Sequence, residues 1–317
     1  MLKIHKAPIV AGVLFILLFP WAAERLPAIE HYPDLMVFAG IYCLITIGLS
    51  LLMGYAGQIS LGHAAFFGIG AYVSGIFTSQ YNINPWICML AGAILATLVA
   101  IAVGAPSLRL RGHYLAMATL AFGIIINIVF REELEWTGGP DGMGGIPGLD
   151  LFGYSLESIS QYYYLVWAIV GAAFFFTIRL IQSPTGRALR AIHVSEPAAG
   201  AMGVDISKYK VMVFAYSGLL ASVAGSLYAH YMNFINPSAF DPFFSIKLII
   251  MMALGGAHSI WGCVVGAVLF AFLSFEWLHY FGEFEILVYG SILLLVTVFL
   301  PEGLTGLPGR ILQRVRR

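Results

Sequence analysis

Long apolar stretches alternate with short polar ones along the whole chain. They cover residues 7–23, 35–54, 58–78, 85–106, 114–130, 162–181, 211–232, 243–256, 260–280 and 286–300. At 1.5 Å of rise per residue, about 20 apolar residues cross roughly 30 Å of hydrocarbon. The pattern therefore predicts an all-α fold: a polytopic membrane helix bundle of about ten transmembrane segments, forming a single domain over 1–317. The eighth stretch is short and holds Lys247, which fits a re-entrant or partly unwound segment as well as a full crossing.

Charge placement tests the count independently, because Lys and Arg gather on the cytoplasmic side of short loops. With the N-terminus inside and ten crossings, the inner segments hold Lys3, Lys6, Arg109, Arg111, Arg179, Arg187, Arg190, Lys208, Lys210 and the arginines at 310, 314, 316 and 317. Against them stand only Glu196, Asp205 and Glu302. The outer segments hold thirteen acids, from Glu24 to Glu285, against Arg25 and Arg131. A miscounted span would scramble this sorting, so both termini are expected in the cytoplasm. The first run also fits a secretory signal peptide, but Trp21 suits a cut after Ala23 poorly, and a retained helix is expected.

Composition removes several classes of function. The chain is 60% hydrophobic and 10% charged, where soluble domains carry about 25% charged residues. Its 16 basic and 16 acidic residues cancel, so no net field gathers nucleic acid; the expected surroundings are membrane lipid. Cys43, Cys88 and Cys263 stand alone in apolar runs and read as small core residues. No nucleophile has a base at useful spacing and no metal-ligand cluster is apparent, which ranks an enzyme last. A nucleotide-binding G-x-x-x-x-G-K-[ST] loop is also missing from the sequence. The glycine-rich run 137–145 lacks its Lys and reads as an outer turn or docking loop.

Small residues mark two spans. Gly57, Ala64 and Ala71 alternate with Leu61, Gly68 and Gly75 in the third, and Gly218, Ser222, Gly225 and Ala229 recur in the seventh. Such stripes serve close helix packing or a solute lining, and the sequence leaves both open. His63 lies about six residues into its run and needs a partner or water; a satisfied packing histidine ranks ahead of a proton relay. Thr119, Gly123 and Asn127 share one face of the fifth span. The candidates for a translocation path are Gln58, Ser60, His63, Gly68, Thr119, Asn127, Ser217 and Ser222. No Asp or Glu falls near the middle of a span, which disfavours a proton symporter.

Between the sixth and seventh spans, residues 183–209 predict two short helices with a bend. Ser183 before Pro184 and Ser195 before Glu196 and Pro197 are start signals, and Gly200 or Gly203 a stop. Ala188, Leu189 and Ile192 form an apolar face from which Arg187 and Arg190 point away. A gripping knob for another protein and an interfacial connector both fit this pattern.

The run Gly54-Tyr55-Ala56-Gly57-Gln58-Ile59-Ser60-Leu61-Gly62-His63-Ala64 and its continuation to Tyr72 closely resembles the signature of permeases of branched-chain amino acid ABC importers, of the LivM type. Residues 108–116, 137–139, 183–188, 196–203 and 301–304 resemble further motifs of that family, in its order. The chain departs from the family pattern at His193, Pro197, Cys263 and Ala257-His258.

The resemblance implies a type II ABC importer-like permease in a bacterial-type cytoplasmic (inner) membrane. Its implied partners are a second homologous permease, two cytoplasmic ABC ATPase subunits and an extracytoplasmic substrate-binding protein. The chain would be non-catalytic and need no cofactor, ATP being bound by partner subunits. Residues 183–209 become the cytoplasmic coupling loop, with Arg187, Arg190, Glu196, Ala199 and Gly203 as ATPase-coupling candidates. Residues 131–161 become the extracytoplasmic loop, with Glu132, Glu133 and Asp141 as binding-protein docking candidates; topology-setting charge is the competing explanation. The expected cargo is a branched-chain amino acid. A permease for urea or short amides, and a stand-alone secondary transporter or channel, are the alternatives.

Overall fold

The computed structural model describes residues 16, 18–21, 23 and 25, then 32–276 apart from 109, 111, 152, 153 and 157, and finally 284–300 and 303–306. The expected retained helix over 1–23 lies largely outside the described residues. So do the charges at Lys3, Lys6, Glu24, Glu30, Arg109, Arg111, Glu157, Glu283 and Glu302 and the C-terminal arginines.

The described chain is helical apart from two short two-stranded ladders. Helix α1 (Tyr32–Leu49) is apolar on every side and continues as a π-helical turn over Ser50–Tyr55. A helix without a polar face must be buried, and the apolar stretch of α1 is 94% buried, against 33% for α3 and 28% for α4. Helix α1 is thus near the bundle axis. Helices α3 (Pro85–Ser107) and α4 (His113–Glu132) present Leu90, Leu98, Met117 and Ile125 outward, as lipid-facing flanks do.

Helix α2 (His63–Ser79) follows an irregular stretch, so His63 is the first helical residue rather than the middle of a span. A short α5 (Leu134–Thr137) precedes α6 (Ile159–Gln182). Next come α7 (Pro184–Val194), α8 (Glu196–Ala201) and the long α9 (Ile206–Met232), which packs against α1, α2 and α3. Helices α10 (Pro242–Gly255), α11 (Ile260–Glu276) and α12 (Glu285–Phe299) complete the order. Start signals act as sequence chemistry dictates. Asn84, Asp205 and Asp241 side chains accept the Trp86, Lys208 and Phe243 amides at 2.9, 3.1 and 2.8 Å.

Among the described residues, six helices are long and apolar enough to cross a membrane, or seven if α10 and α11 form one broken span. The chain is therefore a polytopic helical membrane protein. Those two helices meet at 119°. The 14 residues of α10 reach about 21 Å, short of a full crossing. Their bend depends on glycines in contact: a Cβ on Gly255 would lie 1.7 Å from Gly262 O, and Gly256 takes φ 112°. Lys247 places its ammonium 4.7 Å from the Tyr289 ring centroid on α12.

Outside the helices, β1 (Met143–Gly144) pairs antiparallel with β4 (Phe234–Ile235), and β2 (Asp150–Leu151) with β3 (Tyr154–Ser155). The glycine-rich run thus stitches the loop after α4 to the segment after α9. Gly142, at φ 77°, lies where a Cβ would meet Ile235 O at 2.3 Å.

Candidate functional site

Four elements converge on the start of α2. Gly57 takes φ 69°, a conformation that favours glycine, and turns the chain out of the π-helical segment. Ser60 Oγ then sits 3.1 Å from His63 Nδ1, and Ser217 Oγ of α9 sits 2.5 Å from His63 Nε2. Thr119 Oγ1 of α4 accepts the Leu61 amide at 3.0 Å, and Ser245 Oγ of α10 accepts the Ala64 amide at 3.0 Å. Ala64 lies in the first turn of α2, whose amides have no partner within their own helix, and Leu61 lies just before it, so these hydroxyls satisfy groups that burial would otherwise leave unpaired. Gln58 is buried beside them and donates to Ala56 O. His63 is therefore a satisfied histidine at the centre of a packing node.

Two of the remaining path candidates make contacts inside the bundle. Asn127 Nδ2 donates to Pro237 O at 2.9 Å and Phe240 O at 3.2 Å, clamping the turn before α10 onto α4. Gly68 admits the Phe130 ring, which a Cβ would meet at 2.4 Å. A Cβ on Gly70 would lie 2.0 Å from Ser222 O, and one on Gly225 would lie 1.8 Å from Phe67 O. The seventh-run stripe thus lies where α9 crosses α2 at backbone contact, close to Ala71 of the third-run stripe, whose Gly75 instead faces Ile146 and Ile235. Among the described residues, the buried hydroxyls of Ser222 and Tyr72 have no hydrogen-bond partner. An open apolar groove of about 440 Å³ lies elsewhere, between α3 and α9, with Ile101, Met212 and Leu219 in its wall.

The hairpin of α7 and α8 follows the sequence signals. Ser183 Oγ accepts the Thr185 amide at 3.2 Å and Ser195 Oγ the Ala198 amide at 3.4 Å. Leu189, Ile192 and Ala199 are buried, while Arg187 and Arg190 are exposed. Gly203 ends the segment at φ 83° in open space. Glu196 differs from the expectation of an outward contact: it forms an ion pair with Lys210 at the foot of α9. Two apolar side chains escaped sequence reasoning, Val194 and Met202, which are 85% and 84% exposed at the ends of α7 and α8. Each directly follows a helix's last residue or ends the helix itself, where periodicity assigns no face.

Two of the departures from the family pattern meet in space. The His193 and His258 rings pack edge to face with centroids 5.5 Å apart, and His193 Nδ1 lies 2.7 Å from where a Gly57 Cβ would be. His258 Nδ1 bonds Gly54 O at 2.8 Å, and Tyr55 donates to His258 O at 2.9 Å. The hairpin, the π-helical turn and the α10–α11 bend are thereby joined. Partial burial of the His193 ring, and then the charge of His258, lower the His193 pKa from its ordinary value of 6.5.

On the opposite loops, Glu132, Glu133 and Asp141 are all exposed. Glu132 ends α4 and Glu133 caps it in extended conformation, while Asp141 lies in a 3₁₀ turn after α5. Arg131 pairs with Asp241 at 3.5 Å, tying the end of α4 to the start of α10.

Comparison with known proteins places this geometry. The profile of the family described as the permease component of a branched-chain amino acid transport system matches residues 32–299. The high-affinity branched-chain amino acid transport system permease protein LivM of Escherichia coli K12 is 30% identical, over 86% of this chain and 69% of its own length. The high-affinity branched-chain amino acid transport system permease protein LivH of the same organism is 26% identical over 84% of this chain and 92% of its own length. BraD of Pseudomonas aeruginosa, named as another such permease protein, is 25% identical over 89% and 98%. No solved structure gives a significant match.

Proposed function

The chain belongs to the family of branched-chain amino acid transport system permease components, and from that premise we propose how it works. It is the membrane subunit of an ATP-driven importer for branched-chain amino acids and has no catalytic role of its own. It forms half of a translocation path with a second, homologous permease. Two ABC ATPases act on its cytoplasmic face, and an extracytoplasmic binding protein delivers the solute past Glu132, Glu133 and Asp141. The ten-segment, type II-like arrangement with both termini inside is part of this proposal, and the charge sorting supports it.

The observation that carries the coupling half of the reading is the hairpin of α7 and α8. Its inner face is packed onto the bundle through Leu189, Ile192 and Ala199. Outward it offers exposed Val194 and Met202 together with the cations Arg187 and Arg190. An apolar tip flanked by positive charge fits a groove with an acidic rim on a partner. ATP-driven movement of that partner would shift the hairpin and tilt the spans between outward- and inward-facing states.

The test replaces residues 184–203 with a neutral linker of equal length. The variant is expected to insert into the membrane but to lose both ATPase copurification and uptake. Normal uptake by it would contradict the reading. Flux driven by an ion gradient through the purified chain alone would favour a stand-alone carrier instead.

A further inference from the structure

Lys210 stands one turn into α9 and is only 2% exposed. Its ammonium lies 2.5 Å from Glu196 Oε1 and donates to Leu108 O at 3.5 Å. Glu196 is the first residue of α8 on the hairpin, and Leu108 caps the C-terminal end of α3. A buried cation persists only where opposite charge and acceptor oxygens replace its water. One side chain therefore binds three parts of the fold that the sequence separates by up to 102 residues.

Its position on α9 matters as much as its partners. Beyond Lys210, α9 touches α2 backbone to backbone at Gly225. Near its far end, His230 bonds Ser74 at 2.8 Å, and the Leu227 carbonyl accepts from Tyr162 at 2.6 Å. Tyr231 there donates to Asp34 at the start of α1. Helix α9 is thus tied along its length to α1, α2 and α6. The hairpin also meets α6 directly, across the extended Ser183, where a Cβ on Gly186 would lie 2.1 Å from Ile181 O and Arg190 donates to the same carbonyl at 3.4 Å.

We propose that Lys210 is the positioning residue that passes movement of the α7–α8 hairpin to α9 and α3, so that solute transfer stays tied to nucleotide turnover. This rests on the reading of the hairpin as the surface on which the ATPases act. If the pair only held the fold together, its loss would lower assembly and leave solute moved per ATP unchanged in the molecules that remain.

The experiment uses the complete transporter in proteoliposomes: this chain with its partner permease, ATPases and binding protein. Lys210→Met removes the charge at similar length. Glu196→Gln is the milder variant should Lys210→Met fail to assemble, and Lys210→Arg keeps a cation with N–H donors for both Glu196 and Leu108 O. The readout is leucine taken up per ATP hydrolysed, alongside the ATPase retained on the purified complex. The expected result is at least a fivefold fall in that ratio for Lys210→Met, a smaller fall for Glu196→Gln, and a ratio within twofold of the parent for Lys210→Arg.

A ratio within twofold of the parent in both Lys210→Met and Glu196→Gln overturns the proposal. A fall in Lys210→Arg as large as that in Lys210→Met overturns it as well. In either case a parent transporter that retains its ATPases and couples normally leaves the reading of the hairpin intact. A parent chain that retains no ATPase overturns both.

Discussion

Gly225→Ala tests whether close helix packing at the α2–α9 crossing holds the bundle. The added methyl would lie 1.8 Å from Phe67 O and 2.9 Å from Ala71 N, where real Cβ contacts essentially never fall under 3.0 Å. To restore 3.0 Å from 1.8 Å, the two helices must part locally by about 1.2 Å. That opening acts directly on the neighbouring bond from Ser226 Oγ to Gly70 O, now 3.0 Å long. Overpacking costs about 1–3 kcal/mol and a lost hydrogen bond about 1 kcal/mol. The sum is on the order of 2–4 kcal/mol. Lipid supplies no hydrophobic push between helices to offset it.

Gly171→Ala and Gly290→Ala are the controls, since a Cβ at either meets nothing within 4 Å. They should hold or slightly raise stability, Ala being the better helix former by up to about 1 kcal/mol. Thermal unfolding of the three purified variants in one detergent reads the difference. Gly225→Ala melting together with the controls would refute the claim that these stripes are packing surfaces.

Ser217→Ala leaves a His63 nitrogen without its hydroxyl. It should cost about 1–3 kcal/mol in thermal unfolding, with uptake per folded molecule retained; lost uptake at unchanged stability would make the node part of the path. Asn127→Leu frees the Pro237 and Phe240 carbonyls, and hydrogen exchange over 233–241 should quicken, an unchanged rate counting against the clamp. His193 has a folded-state pKa below the ordinary 6.5, so its neutral form favours the docked hairpin. That contribution is present above 6.5 and is lost as pH falls below it. Hydrogen exchange over 184–203, corrected for intrinsic rates, should accelerate on acidification within the range of about pH 8 to 5. His193→Gln should flatten the profile, and equal slopes in parent and variant would contradict it.

The helix order was legible because apolar runs and charge sorting are local signals, and the two starts at Ser183 and Ser195 could be read as capping chemistry. Where runs ended, neighbours took over. The eighth and ninth stretches form helices at 119° because Gly255 and Gly262 touch, a contact that no hydropathy window contains. His63 stands at a helix start because Gly57 turns the chain before it, and its partner Ser217 lies 154 residues away. The candidate site was legible in residue type more than in role. Small and polar residues were found, yet the structure gives most of them partners within the bundle. Glu196 looked like a surface acid until α9 folded Lys210 against it. Val194 and Met202 lay hidden at helix ends, where exposure depends on what the next segment covers.

Reconstitution with the partner permease, ATPases and binding protein tests the central claim most directly. Uptake of leucine, isoleucine and valine is scored against urea and polar amino acids, with and without ATP. ATP-dependent accumulation of the three aliphatic amino acids alone is the predicted result. Accumulation without ATP, or of urea in preference to leucine, would contradict it.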